Sequence, residues 1–142
     1  MDSYSVISDN NGNLQFYTDG CNVLSHNHVQ MENGNQISPG QLHDYYCSQS
    51  NYGYLEYLGL LSLPFPNHPN MYYLFHLNRD FDLKKADLLY SIIDMDENNG
   101  LGKVVEKNTF LLQDTFSLTL TAVRHANGRD WWVVAPKENS SV

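Results

Sequence analysis

The chain has 142 residues, 42% of them hydrophobic, with ten tyrosines, six phenylalanines and two tryptophans, a composition that excludes disorder and suits one β-rich domain. Its formal charge of −8, with only eight Lys plus Arg, leaves no basic stripe to displace phosphate counterions, which excludes a nucleic-acid backbone as partner and favours solubility. No run approaches the roughly 18 consecutive apolar residues of a membrane span, and the start, MDSYSVISD, reads as no signal peptide, having neither a basic nor an apolar region.

In chain order, Tyr4 to Ser8 is a short predicted strand. Asp9-Asn10-Asn11-Gly12-Asn13 is the turn after it, because Asn and Gly tolerate positive φ. Leu14 to Thr18 returns as the second strand, and Asn22 to Met31 alternates as a third. Residues Gln36 to Tyr54, broken by Pro, Gly, Asn and Ser, read as a long loop. Tyr57 to Phe65 is apolar again. Pro66 to Asn70 turns it into Met71 to Leu77, a second inner strand rich in aromatics.

Asp87 to Met95 is a further strand, Asp96 to Gly100 its turn, and the stretch Leu101 to Leu112 contains its partner. The last hairpin runs from Leu118 to Pro136 about the turn Ala126-Asn127-Gly128-Arg129. In its first strand Leu118, Leu120 and Ala122 share one face, with Thr119, Thr121, Val123 and His125 on the other. Its second strand, Trp131 to Ala135, lacks a polar face, so packed protein is expected on both sides of it. The chain thus predicts about nine strands and no amphipathic helix of three turns. Cys21 and Cys47 either pair or stay as two buried thiols, and two cysteines do not set a redox compartment.

The return strands at Leu14, Met71 and Trp131 recur about every sixty residues, with room between them for two further strands. A four-stranded antiparallel unit repeated at that scale is the signature of a β-propeller blade. A β-sandwich is the alternative fold, but it does not predict the repeat. Residues 1–142 are therefore expected to form one all-β region of about two and a half blades. A propeller closes only with four or more, so this would be a fragment of a longer one with open blade edges able to self-associate.

The segments SDNNGNLQFYTDG, NVLSHNHVQMENG, PNMYYLFHLN, LLYSIIDMDENNGLGKV and TAVRHANGRDWWVVAPK resemble, in order, the amino-terminal propeller region of large exported proteins of Bacteroidetes. Relatives of that group are described as gliding-motility-associated or as carrying a carboxy-terminal sorting domain for type IX secretion. The resemblance implies an extracellular or cell-surface location and supplies no catalytic residues. The chain departs from the pattern at NYGYLEYL, residues 51–58, which looks like an insertion.

Few residues carry chemistry by type and spacing. His26 and His28 lie two apart, which on a strand places both on one face at a spacing a zinc site can use. Two ligands do not make a site, and the pair reads first as polar side chains on a solvent-facing strand. Tyr45, Tyr46, Tyr52 and Tyr54, with His43, can form an aromatic platform for a glycan or a peptide, or pack over the sheet edge. His125 and Asp130 flank the last turn, where the ring is expected to pin the turn backbone. Trp131 and Trp132 read as blade packing, structural rather than catalytic.

Asp94 to Gly100 superficially resembles a calcium loop, but Val105 stands where a bidentate carboxylate belongs, so it reads as a solvated turn. Asn139-Ser140-Ser141 matches a glycosylation sequon, a pattern common by chance. No phosphate cradle, serine nucleophile motif or CxxC pair is present, and no cofactor is expected. The resulting expectation is a non-enzymatic propeller segment that binds a protein or glycan. The alternatives are a propeller enzyme completed by further blades and an inactive structural fragment.

Overall fold

The structure, a computed structural model, describes residues 4–49, 54, 59–82, 85–117 and 119–138. Among the described residues are nine strands in three antiparallel sheets and one short α-helix. The first sheet is β1 (Ser5–Ser8), β2 (Leu14–Thr18) and β3 (Val23–Ser25) in that spatial order. Helix α1 (Gln41–Gln49) follows. The second sheet is a four-stranded meander of β4 (Leu60–Pro64), β5 (Met71–Arg79), β6 (Ala86–Asp94) and β7 (Lys103–Asp114). The third is the hairpin β8 (Thr121–Arg124) and β9 (Trp131–Val134). Among the described residues the sheets do not close into a ring or barrel.

Each sheet opens with a hairpin, and the turn chemistry accounts for it. Asp9 Oδ1 accepts the backbone N–H groups of Asn11 and Asn13 at 2.9 Å, which holds the β1–β2 turn. In the last hairpin Asn127 Oδ1 accepts the N–H groups of Arg129 and Asp130 at 3.0 Å, the same device at a different turn position. The second hairpin has the longer turn from Phe65 to Asn70, where Asn67 takes φ 61°. Strand β5 carries the richest run of strand formers and pairs along its whole length, from Met71 opposite Asp94 to Arg79 opposite Ala86.

The core lies between the first two sheets. Phe16 and Val23 of the first sheet, with Met31 and Ile37 beyond it, pack on Tyr72, Leu74, Ile93 and Val104 of the second. Phe16 meets Tyr72 edge to face at a ring separation of 5.5 Å. Beyond β3 the chain crosses to the outer strand of the second sheet: Val104 N–H donates to Glu32 O at 3.0 Å, Asn33 Nδ2 donates to Val104 O at 2.8 Å, and Lys103 pairs with Glu32 at 2.9 Å. The opposite face of the second sheet packs a smaller cluster, in which Leu77, Ala86 and Leu88 meet Phe116 and Leu120 with Ala135 beside them. Arg79, itself buried, donates from Nη2 to Phe116 O and ties that segment down.

Several expectations are corrected. The Gln36–Tyr54 stretch is not a continuous loop, because Gln41–Gln49 is helical. QLHDYYCSQ has no clear apolar stripe, and tertiary contacts hold the helix. Cys21 and Cys47 form a disulfide with a Cα separation of 5.7 Å, and Leu42 packs with Cys21 and Tyr54. Gly20 sits at the foot of this cluster with φ 83°, where an added Cβ would lie 2.6 Å from Tyr54 Cβ.

The third strand is far shorter than Asn22–Met31. After Ser25 the chain folds into a tight turn in which His28 takes φ 66° and Ser25 N–H donates to Val29 O at 2.9 Å. The last hairpin is not buried on both faces: Trp132 is 60% exposed, with Val123 and Val134 exposed beside it, because nothing among the described residues stacks on that side. The inward face of β8 follows its sequence pattern, with Leu120 buried and Ala122 half-buried while Thr121 and Val123 face out.

Candidate functional site

The hairpins of the three sheets meet at one end. Strands β1 and β4 lie beside each other, with Ser5 Oγ and Ser62 Oγ 2.7 Å apart and Ser62 N–H donating to Ser5 Oγ at 3.1 Å. Both strands lead into turns that line an open cleft of about 570 Å³, Ser8 to Asn11 on one wall and Pro64 to Asn70 on the other. Arg124, at the end of β8, closes the third side. Each first strand of a sheet thus delivers its turn, or the residue before it, to the same cleft.

The cleft is polar. Asp9 is its one carboxylate, and its oxygens are spent on its own turn, Oδ2 accepting Asn13 Nδ2 at 3.0 Å in addition to the two backbone donors on Oδ1. These bonds, the Asn13 side chain first, hold its carboxyl below the usual range and keep it ionised at neutral pH. Arg124 is the one cation of the lining, with its guanidinium carbon 5.8 Å from the centre of the Trp131 ring. Tyr72 forms the buried floor, its phenol pushed up by burial and by the Asp9 charge. Phe65 stands on the wall, stacked on Tyr73 at 4.5 Å and edge to face with His68 at 5.4 Å. The ring contacts continue past the cleft from Tyr73 to Phe75 and Tyr90 at 5.4 and 5.8 Å.

The residues singled out from the sequence lie elsewhere. His26 and His28 are both exposed in the turn after β3, not on a strand face, and His28 Nδ1 is 3.2 Å from Tyr17 OH. No group of three or more metal-ligating side chains occurs among the described residues. Three of the four platform tyrosines lie among the described residues, and Tyr54 is buried rather than exposed. Tyr45 is exposed on α1 and meets Tyr46 at 4.9 Å and Phe81 at 5.7 Å. Tyr54 is 1% exposed, its OH donating to Asn78 Oδ1 at 3.1 Å and accepting from Arg79 N–H at 3.3 Å, so it is a structural post rather than a stacking surface. Tyr52 and the sequon at Asn139 lie outside the described residues.

In the last turn His125 Nδ1 accepts from Asn127 N–H at 3.1 Å, and the ring lies 5.5 Å from Trp132. Asp130 pairs with Arg129 through two bonds of 2.8 and 2.9 Å and takes Asn127 Nδ2 at 2.6 Å. The Arg129 guanidinium, with Asn127, holds its carboxyl down to about 2. Asp130 therefore serves Arg129 and the turn.

A second polar cluster is buried and was not read from the sequence. Ser38 Oγ lies 2.7 Å from His76 Nδ1, and His76 Nε2 lies 3.1 Å from Ser91 Oγ. Ser91 Oγ accepts from Asn108 N–H at 3.1 Å, and Asn108 Oδ1 accepts from Ser38 N–H at the same distance, closing a ring of bonds between the 36–39 segment and three strands. Complete burial pushes the imidazole down to about 3, so it is neutral at physiological pH. With Ser38, His76 and Ser91 all buried, this triad has no substrate access and fastens the 36–39 segment to the second sheet.

The signal for the cleft was present as a repeated hairpin, of which the first two copies supply their turns and the third supplies Arg124. The buried cluster left no such signal, since Ser38, His76 and Ser91 are far apart in sequence and common in type. A scan against protein-family models and searches of curated proteins and of solved structures find no match to this chain.

Proposed function

We propose that the chain is a segment of a β-propeller, displayed outside the cytoplasm, that binds a ligand without transforming it. The observation that carries this reading is a shared cleft to which the first hairpins of three successive sheets contribute. Three further features support it. The middle sheet is stacked on both faces by its neighbours in the chain. The first strands of the first two sheets, β1 and β4, run side by side, as inner strands do around a propeller axis. The two outermost faces keep apolar side chains uncovered, Val6 alone on one and a row of Val123, Trp132 and Val134 on the other, where further blades would stack.

The Cys21–Cys47 disulfide favours an oxidising compartment. The sequence resemblance to amino-terminal propeller regions of exported Bacteroidetes proteins agrees with that placement. A binding role follows from the lining of the cleft, which holds one carboxylate committed to its own turn and one arginine, with His125 and Asp130 engaged outside it. Screening the chain on glycan and peptide arrays in parallel with a hydrolase panel tests this. Capture of a ligand with no turnover is expected, and turnover of any panel substrate that is lost in Arg124→Gln would overturn the reading.

A further inference from the structure

We infer that the cleft between the three hairpins takes a neutral saccharide. The inference rests on the binding-module reading above and names its ligand. At about 570 Å³ the space lies within the range of small-ligand sites. Its walls mix many polar side chains with the apolar faces of Pro64, Phe65 and Pro69, and that mixture points to a polyhydroxylated occupant. Asn10, Asn11 and Asn67 present exposed carboxamides, each with two donors and an acceptor on adjacent atoms. Vicinal hydroxyls donate and accept in the same alternating way. Phe65, fixed by its stack on Tyr73, adds an apolar surface suited to the C–H face of a pyranose ring.

Charge selects against the other polar ligands. The lining holds one carboxylate and one guanidinium, so its formal charge cancels. Asp9 has both oxygens bonded within its turn and is poorly placed to bind a cation. The chain as a whole carries −8, which opposes the approach of polyanionic glycans and acidic peptides. Arg124, with no carboxylate partner among the described residues and its guanidinium beside the Trp131 ring, is left to donate to hydroxyl or ring oxygens.

The test is calorimetric titration of the full chain with neutral tetrasaccharides of glucose, mannose and galactose, with galacturonate and chitosan oligomers, and with peptides selected on an array. At least one neutral tetrasaccharide is expected to bind, with an affinity that changes little between about 50 and about 500 mM salt. Asn67→Gly removes a carboxamide at a positive-φ position that glycine adopts without strain, so the fold is retained. It and Arg124→Gln should each weaken binding about threefold to tenfold with an unchanged melting temperature. Preference for the charged oligomers with steep salt dependence would overturn the inference, as would full affinity in both variants. Binding of peptides alone would sink the saccharide while leaving the binding module standing. Binding of nothing would remove both.

Discussion

The second sheet and the last hairpin are built from the same kind of sequence and end in opposite states. Both carry a doubled aromatic on the second strand of an opening hairpin, Tyr72-Tyr73 in one and Trp131-Trp132 in the other. Tyr72 is 3% exposed because the first sheet lies on it, whereas Trp132 is 60% exposed because no sheet lies beyond β9 among the described residues. An aromatic strand therefore specifies a surface that can be stacked upon. Whether it becomes core depends on a neighbour supplied from elsewhere in the chain or from another chain.

The largest effect should come from cutting into the stacked side. Phe16→Ala, which empties the contact with Tyr72 at a fully buried position, should cost about 3 to 5 kcal/mol in chemical denaturation. Next is the clamp that holds α1 to the first sheet. Replacing Cys21 and Cys47 by Ala, which opens a link across 26 residues, should lower stability by about 2 to 4 kcal/mol, and reductant should reproduce the loss in the parent chain. Gly20→Ala combines a left-handed backbone with a Cβ placed against Tyr54 and should cost about 1 to 3 kcal/mol. If that variant were as stable as the parent, the seating of Tyr54 on the first sheet would be wrong.

The buried His76 sharpens the contrast through pH. Its folded pKa, about 3, lies below the ordinary 6.5, so the unfolded chain binds the extra proton first. Its contribution is fully present above about pH 6.5 and is lost as pH falls toward 3, at a slope approaching 1.4 kcal/mol per pH unit. His76→Gln should flatten that part of the stability profile, and an unchanged slope would show that the ring is not buried neutral. The smallest effect belongs to the open side. Trp132→Ala should change stability by less than about 1 kcal/mol while reducing concentration-dependent association in sedimentation. A loss of several kcal/mol would mean that the exposed row of the last hairpin is covered in solution.

Reading the tryptophans as buried on both faces failed for the same reason. A run without polar residues records that both faces tolerate burial, and Trp132, Val123 and Val134 are apolar without being covered. The histidines of the third strand failed differently. Alternation from Asn22 to Met31 suggested a strand, but the chain breaks at Ser25 and turns through Asn27 and His28, and Asn27 Oδ1 accepts from Val29 N–H at 3.1 Å. A local side-chain bond outcompeted the ladder.

The sequence by itself determined the all-β character, the number of strands, the turns other than the one after Ser25, and the hairpin that recurs at Leu14, Met71 and Trp131, because period-two alternation and the positive-φ tolerance of Asn and Gly act over a few neighbouring residues. Tertiary structure alone decided that Cys21 meets Cys47, that QLHDYYCSQ is helical, that Tyr54 is a post, that Ser38, His76 and Ser91 close on one another, and that two turns and Arg124 of the last hairpin share one cleft. Each of these depends on residues far apart in sequence being brought together by sheets that stack, and the free energy of that stacking belongs to the buried area between sheets rather than to any one strand.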